Sequence, residues 1–535
     1  MMMDMKLPPS IFNDVIGPVM RGPSSSHTAA SVRIGNLAAA LLADPIAEAH
    51  VDFDPKGSLA TTYRSQGSAI GLVAGFLGYD TKAAAIISSE EEALRRGMKI
   101  TFNVLDYPTT HPNTYRISLK SITGETASLI AISTGGGMIE ITEINGFPVS
   151  ICGDFYETLL QTTVLDSTVK QTFKEIENQS GVEFIVISET EQGTLINIKT
   201  AKPLPESVID IARQRCDIQK TRVLSPVLPT LSRKNCAVPF LSAADIIKTA
   251  TKGKMDLSEL ALLYESDRGN CSKEEIWNKM QSIVAIMKDS IASGMKGTEY
   301  NDRILGSQAG KISQAAGEGK IIPCNLINTV TTYTIAMMEV KSSMGVIVAA
   351  PTAGSCAVLP GAILGTAAAL KISDDQCVRA MLAAGLIGVL IAEHSTFSAE
   401  VCGCQAECGA GSGMAAAGVV QLMGGTTQQA IAAASIALQN IMGMICDPVA
   451  NRVEVPCLGK NVMAATNAIT SANMALAGVD PVIPLDEVIL AMDAVGRSLP
   501  YELRCTGYGG LSVTPTSKSI EEKLNKSSNC GAGNA

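Results

Sequence analysis

Three cysteines stand where a chain can present sulfur to a metal. Cys404 lies in GCQAECG, Cys446 in ICDPV and Cys457 in VPCLG, each with Gly or Pro within two residues, at a turn between apolar runs. A thiol at a turn is freer to reach a metal than one packed along a helix, and iron–sulfur clusters are held by such thiolates. Three thiolates on a four-iron cluster leave one iron open, as a catalytic metal requires and a structural one does not. Cys402 and Cys408 flank Cys404, and spacing alone leaves open which of the three ligates; in extended chain Cys402 and Cys404 point the same way. The alternative is a set of buried, inert thiols, because free cysteine is among the most buried residue types. Zinc competes poorly: the chain has four His, none close in sequence to Cys446 or Cys457.

A second constellation is GPSSSHT, Gly22 to Thr28. Ser24, Ser25, Ser26 and Thr28 gather hydroxyls around His27 just before a small-residue helix. Backbone N–H groups at a helix start, with hydroxyls beside them, suit a carboxylate or phosphate, and an imidazole moves protons near neutral pH. An N-cap cluster is the simpler alternative. The third is AAPTAGSCAVLPG, Ala349 to Gly361, which carries Thr352 and Ser355 in a loop between apolar segments. A loop inside such a core needs partners for its backbone groups, and a bound cofactor or substrate can be one; a helix break made by Pro351 and Pro360 is the alternative. The Gly-rich STGGGM, Ser133 to Met138, reads most simply as a hairpin turn. No G-x-x-x-x-G-K-[ST] loop and no G-x-S-x-G elbow occurs.

The elements that must position these groups separate by texture into an α+β chain. Residues 1–150 read as an α/β-mixed domain, with strands at 47–53, 100–105, 114–119 and 139–144 and a helix at 30–43. Residues 151–230 read strand 157–165, helix 167–178, strands 183–188 and 194–200, helix 206–213 and strand 221–227. That βαββαβ order is the ferredoxin-like unit, and 225–235, with Pro226 and Pro229, reads as a linker. Residues 231–520 read as a large all-α domain of ten helices, rich in Ala, Leu and Met. Charge vanishes from Ser342 to Leu370 and again from Cys408 to Cys446. Helices apolar all round must be wrapped by other helices. Residues 521–535 read as a flexible tail carrying Cys530.

Composition sets the class. The chain has 535 residues and a net charge of −9, with only 4% aromatic and 17% charged residues. An acidic chain with one Trp lacks the basic footprint and stacking platforms of a nucleic-acid binder. Mean hydropathy is +0.22, but the apolar runs are cut by Pro, Gly and polar residues, so buried helices are expected in place of membrane spans. No basic-then-apolar leader opens the chain, which predicts a cytoplasmic protein. The 14 cysteines begin only at Cys152, and nine lie from Cys356 onward. Without an export signal this favours metal or thiol chemistry over disulfides.

Taken together these segments resemble the iron–sulfur-dependent L-serine dehydratase (L-serine ammonia-lyase) family. The first region resembles the family's β domain through GPSSSHTA, FDPKGSLATTY and STGGGMIEITEINGF. The second resembles its ACT-type segment. The third resembles its α domain through FLSAADIIKTA, APTAGSCAVLPG, GCQAECGAGSGMAAA, ICDPVANRVEVPCLGKN and LRCTGYGGLSVTPT. The resemblance implies a 4Fe–4S cluster on Cys404, Cys446 and Cys457, and a lyase of amino-acid degradation that converts L-serine to pyruvate and ammonia. It implies catalytic roles for His27 and Ser25, and a substrate pocket that includes Ser24, Ser26, Thr28, Thr352 and Ser355. Related expectations are a substrate such as L-threonine or L-cysteine, or a cluster-binding homologue without turnover. The low charge suggests a homodimer. The chain departs from the family pattern at Gln66, where His is expected, at Ala69, where Asp is expected, and at Cys505, where Glu is expected. The ACT-like segment lacks an Asp-Arg-Pro-Gly turn. Some family members place a C-terminal Cys on the open iron, a role open to Cys530.

Overall fold

The computed structural model describes residues 7–530, apart from positions 164 and 180, and side chains as far as residue 526. Alternation of apolar and polar residues builds the first sheet. Its six strands run in the order Lys99–Val104, Ile46–Phe53, Thr114–Ser121, Thr126–Gly135, Met138–Ile144 and Phe147–Ile151. Only the first pair is parallel. In Thr126–Gly135 every second residue is buried, as a sheet with one covered face requires. Helices Ala30–Ala39 and Ser68–Phe76 pack together beside it and share its apolar core. They touch backbone to backbone at two glycines: a Cβ on Gly75 would lie 2.3 Å from the Val32 carbonyl oxygen and 2.8 Å from Gly35 Cα. STGGGM forms the turn between two strands, with Gly135, Gly136 and Gly137 all at positive φ (112°, 60° and 91°), a conformation glycine adopts without steric cost.

The second sheet has strand order Ile218–Leu224, Tyr156–Thr162, Gly193–Thr200, Val182–Thr190, all antiparallel. Helices Ser167–Glu177 and Glu206–Arg215 supply Val169, Phe173, Ile176, Val208 and Ile209 to its core. This is the ferredoxin-like arrangement expected from the βαββαβ order.

From Ala243 onward the chain is almost entirely helical. The centre is Cys408–Leu422, where every residue but Gln421 is buried. It is wrapped by Val358–Leu370, Asp374–His394, Thr427–Asn440 and Cys457–Leu476. Small residues let these backbones approach: a Cβ on Gly418 would stand 2.9 Å from the Ala380 carbonyl oxygen. Two stretches, Ala353–Leu370 and Asp374–His394, are long and apolar enough to cross a membrane, and 83% and 78% of them is buried inside the protein. That is how core helices behave.

Three expectations need correction, and one helix is new. Pro360 does not break a helix; it lies in the first turn of Val358–Leu370, where a proline's missing N–H costs nothing. Cys457 is not in a loop but opens the helix Cys457–Leu476. The tail expected from 521 is helical as far as 530, within Pro515–Cys530, because its Lys, Glu and Leu are good helix formers. The Cys530 side chain and residues 531–535 lie outside the described residues. Finally, Ala309–Gly317 is a helix that the sequence pattern did not predict; only Ala309 of it is buried, so it has no apolar stripe to read.

The sheet half and the helical half are stitched at several points. Val19–Arg21 pairs antiparallel with Val346–Val348. Ser10 Oγ donates to Glu265 at 2.5 Å, and Ile11 N donates to the same carboxylate at 2.8 Å. Asn13 exchanges two hydrogen bonds with the backbone of Thr230, at 2.6 and 2.9 Å.

Candidate active site

The stitched seam brings the serine-rich segment onto the helical domain. Residues Ser25–Ala29 form one wide helical turn that runs directly into Ala30–Ala39. Gly22 and Gly67 make room for Thr28, whose Oγ1 would lie 2.6 and 2.4 Å from a Cβ at those positions. The Thr28 hydroxyl donates to the Gln66 carbonyl at 2.9 Å, which fixes the turn against the loop before Ser68–Phe76. Ser26 is buried beside it.

His27 is wholly buried. Its Nε2 lies 2.8 Å from Thr62 Oγ1, and its Nδ1 lies 3.0 Å from Ser24 Oγ. Thr62 donates its own hydrogen to the Ser58 carbonyl at 2.6 Å. It therefore accepts from His27, which assigns the proton to Nε2 and leaves the lone pair on Nδ1 facing Ser24. Glu400 Oε1 stands 3.7 Å from that same Nδ1, and its Oε2 accepts from Ser398 Oγ at 2.7 Å. Burial lowers the imidazole pKa below its ordinary 6.5, while Glu400 pulls it upward. The ring is thus a neutral base at pH 7, with a carboxylate placed to receive the N–H formed if Nδ1 takes a proton. His111 is under the influence of the same carboxylate, and burial lowers its pKa too.

Ser25 crosses the seam: its Oγ accepts from Ala353 N at 3.1 Å, and the hydroxyl hydrogen remains for donation. Ala353 follows Thr352, whose side chain caps the short turn Ala353–Ser355 in reciprocal bonds with Ser355. Thr352 Oγ1 donates to Glu407 Oε1 at 2.6 Å. Gly354 lets that carboxylate lie against the turn; a Cβ there would be 2.6 Å from Oε1. Burial, and then the charge on Cys404, raise the Glu407 pKa well above the carboxylate range.

Behind Glu407 lies a nest of sulfur. Cys404 Sγ is 3.9 Å from Glu407 Oε2 and 3.8 Å from Cys408 Sγ. Hydrogen bonds from the Cys408 and Cys446 thiols, together with Lys460, depress the Cys404 pKa well below that of a free thiol. Cys446 in turn contacts Cys505. Cys457 feels the Cys404 charge, and Asn461 Nδ2 lies 3.5 Å from Cys408 Sγ and 2.8 Å from the Cys457 carbonyl oxygen. Lys460 Nζ donates to Asp447 at 2.8 Å and to the Ile445 carbonyl at 2.7 Å, and the buried Lys341 donates to the Val453 carbonyl. All five sulfurs belong to buried free cysteines. Cys402 is apart, turned to Asp493 Oδ1 at 3.7 Å. Gly496 allows that packing, since a Cβ there would be 2.6 Å from Cys402 Cβ.

Among the described residues no three His, Cys, Asp or Glu side chains converge closely enough for a single metal ion. A cluster of several irons holds its thiolates farther apart than one ion does, and an all-sulfur donor set with cations and an amide at its edge is the environment such clusters use. The donor set therefore fits the cluster, while the spacing of the donors among the described residues does not suit a single zinc ion.

Sequence reasoning named His27, the serines, Thr352, Ser355 and the three cysteines, and these meet along one seam. It passed over Glu400, Glu407, Thr62, His111, Lys341 and Asn461. Only Glu407 carried a local signal, lying between two cysteines in CQAEC. A cavity of about 370 Å³ lies elsewhere, between the linker and the helices, lined by residues that include Phe12, Arg233 and Lys279. Another, of about 40 Å³, lies between Pro23, Gly67, Arg452 and Glu454.

A neutral buried imidazole, two buried glutamates and a sulfur nest gather at the seam between the two halves. The family described as serine dehydratase alpha chain matches residues 219–512. The chain is 37% identical over 285 residues to a probable L-serine dehydratase alpha chain of Bacillus subtilis, covering 53% of this chain and 95% of that protein. It is 34% identical to the L-serine dehydratase alpha chain of Peptoniphilus asaccharolyticus, over 53% of this chain and 98% of that one. L-serine dehydratase 1 of Escherichia coli is 31% identical over 51% of this chain and 62% of its own length. The chain belongs to the serine dehydratase family, and it is a carbon–nitrogen lyase.

Proposed function

We propose that the chain is an L-serine dehydratase, releasing pyruvate and ammonia, with Cys404, Cys446 and Cys457 holding a 4Fe–4S cluster. The carrying observation is the seam itself: His27 and Ser25 from one half meet Glu400 and Ala353 of the other, and Thr352, next to Ala353, reaches Glu407 at the edge of the sulfur nest. When bound, the cluster supplies a Lewis acid for the β-hydroxyl, whose departure as hydroxide is otherwise slow. The protein supplies the rest. His27 accepts the Cα proton at Nδ1, directly or through Ser24 Oγ, and Glu400 stabilises the imidazolium. Ser25 and Ser26, beside the first turns of Ala30–Ala39, suit the substrate carboxylate. The Thr352–Glu407 pair orders the floor of the pocket. The aminoacrylate product tautomerises to an imine, and water hydrolyses it.

The reading is supported by the printed activities of the relatives and by the donor set. A second reading, a lyase of another β-substituted amino acid, is favoured by Gln66, which is non-titratable and buried at the seam. Ammonia release measured anaerobically on L-serine, L-threonine and L-cysteine separates the two. Turnover of L-serine well above the others is expected. A clear preference for another amino acid would transfer the assignment, and no release from any would leave a cluster-binding homologue.

A further inference from the structure

The cavity of about 370 Å³ lies where three parts of the molecule meet. Phe12 reaches it from the N-terminal segment, Glu183 from the second sheet, Arg233 from the linker and Lys279 from helix Lys273–Lys296. A space of that size suits a small-molecule ligand, and neither His27 nor the sulfur nest borders it. Its two cations are incompletely used. Arg233 donates from Nη2 to the Asp267 carbonyl, but its Nε is buried and has no hydrogen-bond partner among the described residues. A buried donor without an acceptor costs free energy, and a bound ion or ligand is one reason such a group persists. Lys279 Nζ makes long contacts, 3.2 Å to Thr230 Oγ1 and 3.4 Å to the Pro229 carbonyl, and stands 4.4 Å from the centre of the Phe12 ring. Neither cation forms an ion pair among the described residues, whereas the neighbouring Lys234 pairs with Glu177 at 3.3 Å. The acids of the lining are engaged already. Glu183 accepts from Lys234 N at 2.7 Å, and Glu275 accepts from Ser272 N at 2.7 Å and Ser272 Oγ at 2.9 Å, where it caps its own helix. The donor capacity left over is therefore cationic.

We infer that this cavity binds a small organic dianion, a dicarboxylate or a phosphate ester of a few carbons, with its oxyanion on Arg233 and Lys279. A guanidinium presents several fixed donors to such a group, and an ammonium adds a point charge. The carbon body lies against Phe12 and Ile276. The anion sits beside an existing stitch between the halves, because Thr230 of the lining exchanges two hydrogen bonds with Asn13. It therefore clamps the N-terminal segment, the linker and the helix together. The site holds no group used in the proposed elimination, so binding is independent of the cluster and of turnover.

The test is equilibrium dialysis of the full-length protein against radiolabelled succinate and, separately, radiolabelled glycerol 3-phosphate, at constant ionic strength set with chloride. One saturable site per chain is expected for at least one of them, and the tighter binder decides between carboxylate and phosphate. Arg233→Gln and Lys279→Gln should each weaken binding about 10- to 100-fold. Lys234→Gln, which removes a charge next to the cavity, should bind as the native chain does. The bound anion should also raise the thermal midpoint of the native protein and leave that of Arg233→Gln unmoved. Native protein that binds neither anion saturably overturns the inference, whether or not any variant folds. So does binding that Lys234→Gln weakens as much as Arg233→Gln does, since the field of the surface, and no built site, would then hold the anion.

Discussion

At the residue scale, the account turns on which nitrogen of His27 carries the proton. Thr62 spends its hydrogen on Ser58, so the imidazole donates at Nε2 and its basic lone pair faces Ser24 and Glu400. Burial holds the folded pKa below 6.5, so the unfolded chain binds this proton more tightly. Stability contributed by the neutral ring is complete above pH 6.5 and declines as pH falls below it. The acid limb of kcat/KM should accordingly lie below pH 6.5, and the unfolding midpoint should fall over the same range. His27→Gln keeps a hydrogen-bonding amide and removes the base; kcat should drop by about 10² to 10⁴-fold with the acid limb lost. An acid limb at or above 6.5, or a variant with native kcat, would contradict the role. His27 was legible because an imidazole among serines is rare in a chain with four His. Glu400 and Thr62 were not, because each acquires meaning only from a neighbour hundreds or tens of residues away.

At the element scale, composition decides what can be read. The core helices announced themselves by unbroken apolar runs, and 139–144 and 194–200 by alternation. Strand Thr126–Gly135 escaped because its outer face carries Ile130 and Ile132 while its buried face carries Ala127, Ala131, Ser133 and Gly135, leaving no polar contrast between the two. Pro515–Cys530 escaped because polarity was read as a tail, although Ser517 Oγ accepts from Ala450 N at 2.9 Å and Glu521 accepts from Asn451 at 2.9 Å. The elements also transmit position. Ala30–Ala39 carries the His27 turn, and its place is set by the Gly35–Gly75 crossing. Gly75→Ala would drive a methyl into the Val32 carbonyl, 2.3 Å away. Two backbones cannot both yield, so the substitution should cost about 1–3 kcal/mol or more, read as a lower denaturant midpoint with unchanged slope. An unchanged midpoint would mean that the helices separate freely and that the crossing does not fix the site.

At the scale of the whole molecule, the proposed function resides in the seam. The sheet half carries the imidazole and the hydroxyls, and the helical half carries the carboxylates and sulfurs. The matched family residues begin at 219, so the relatives' likeness falls on the sulfur-bearing part. The sequence located the cysteines by residue type and by the turns beside them, but their convergence depends on helix packing that no local pattern encodes. The measurement that bears most directly on the account is iron and acid-labile sulfide per chain in anaerobically purified protein, native and Cys446→Ser. The account predicts about four of each in the native chain, with colour and pyruvate formation lost together in the variant. A native protein that turns over L-serine while free of iron and sulfide would contradict it.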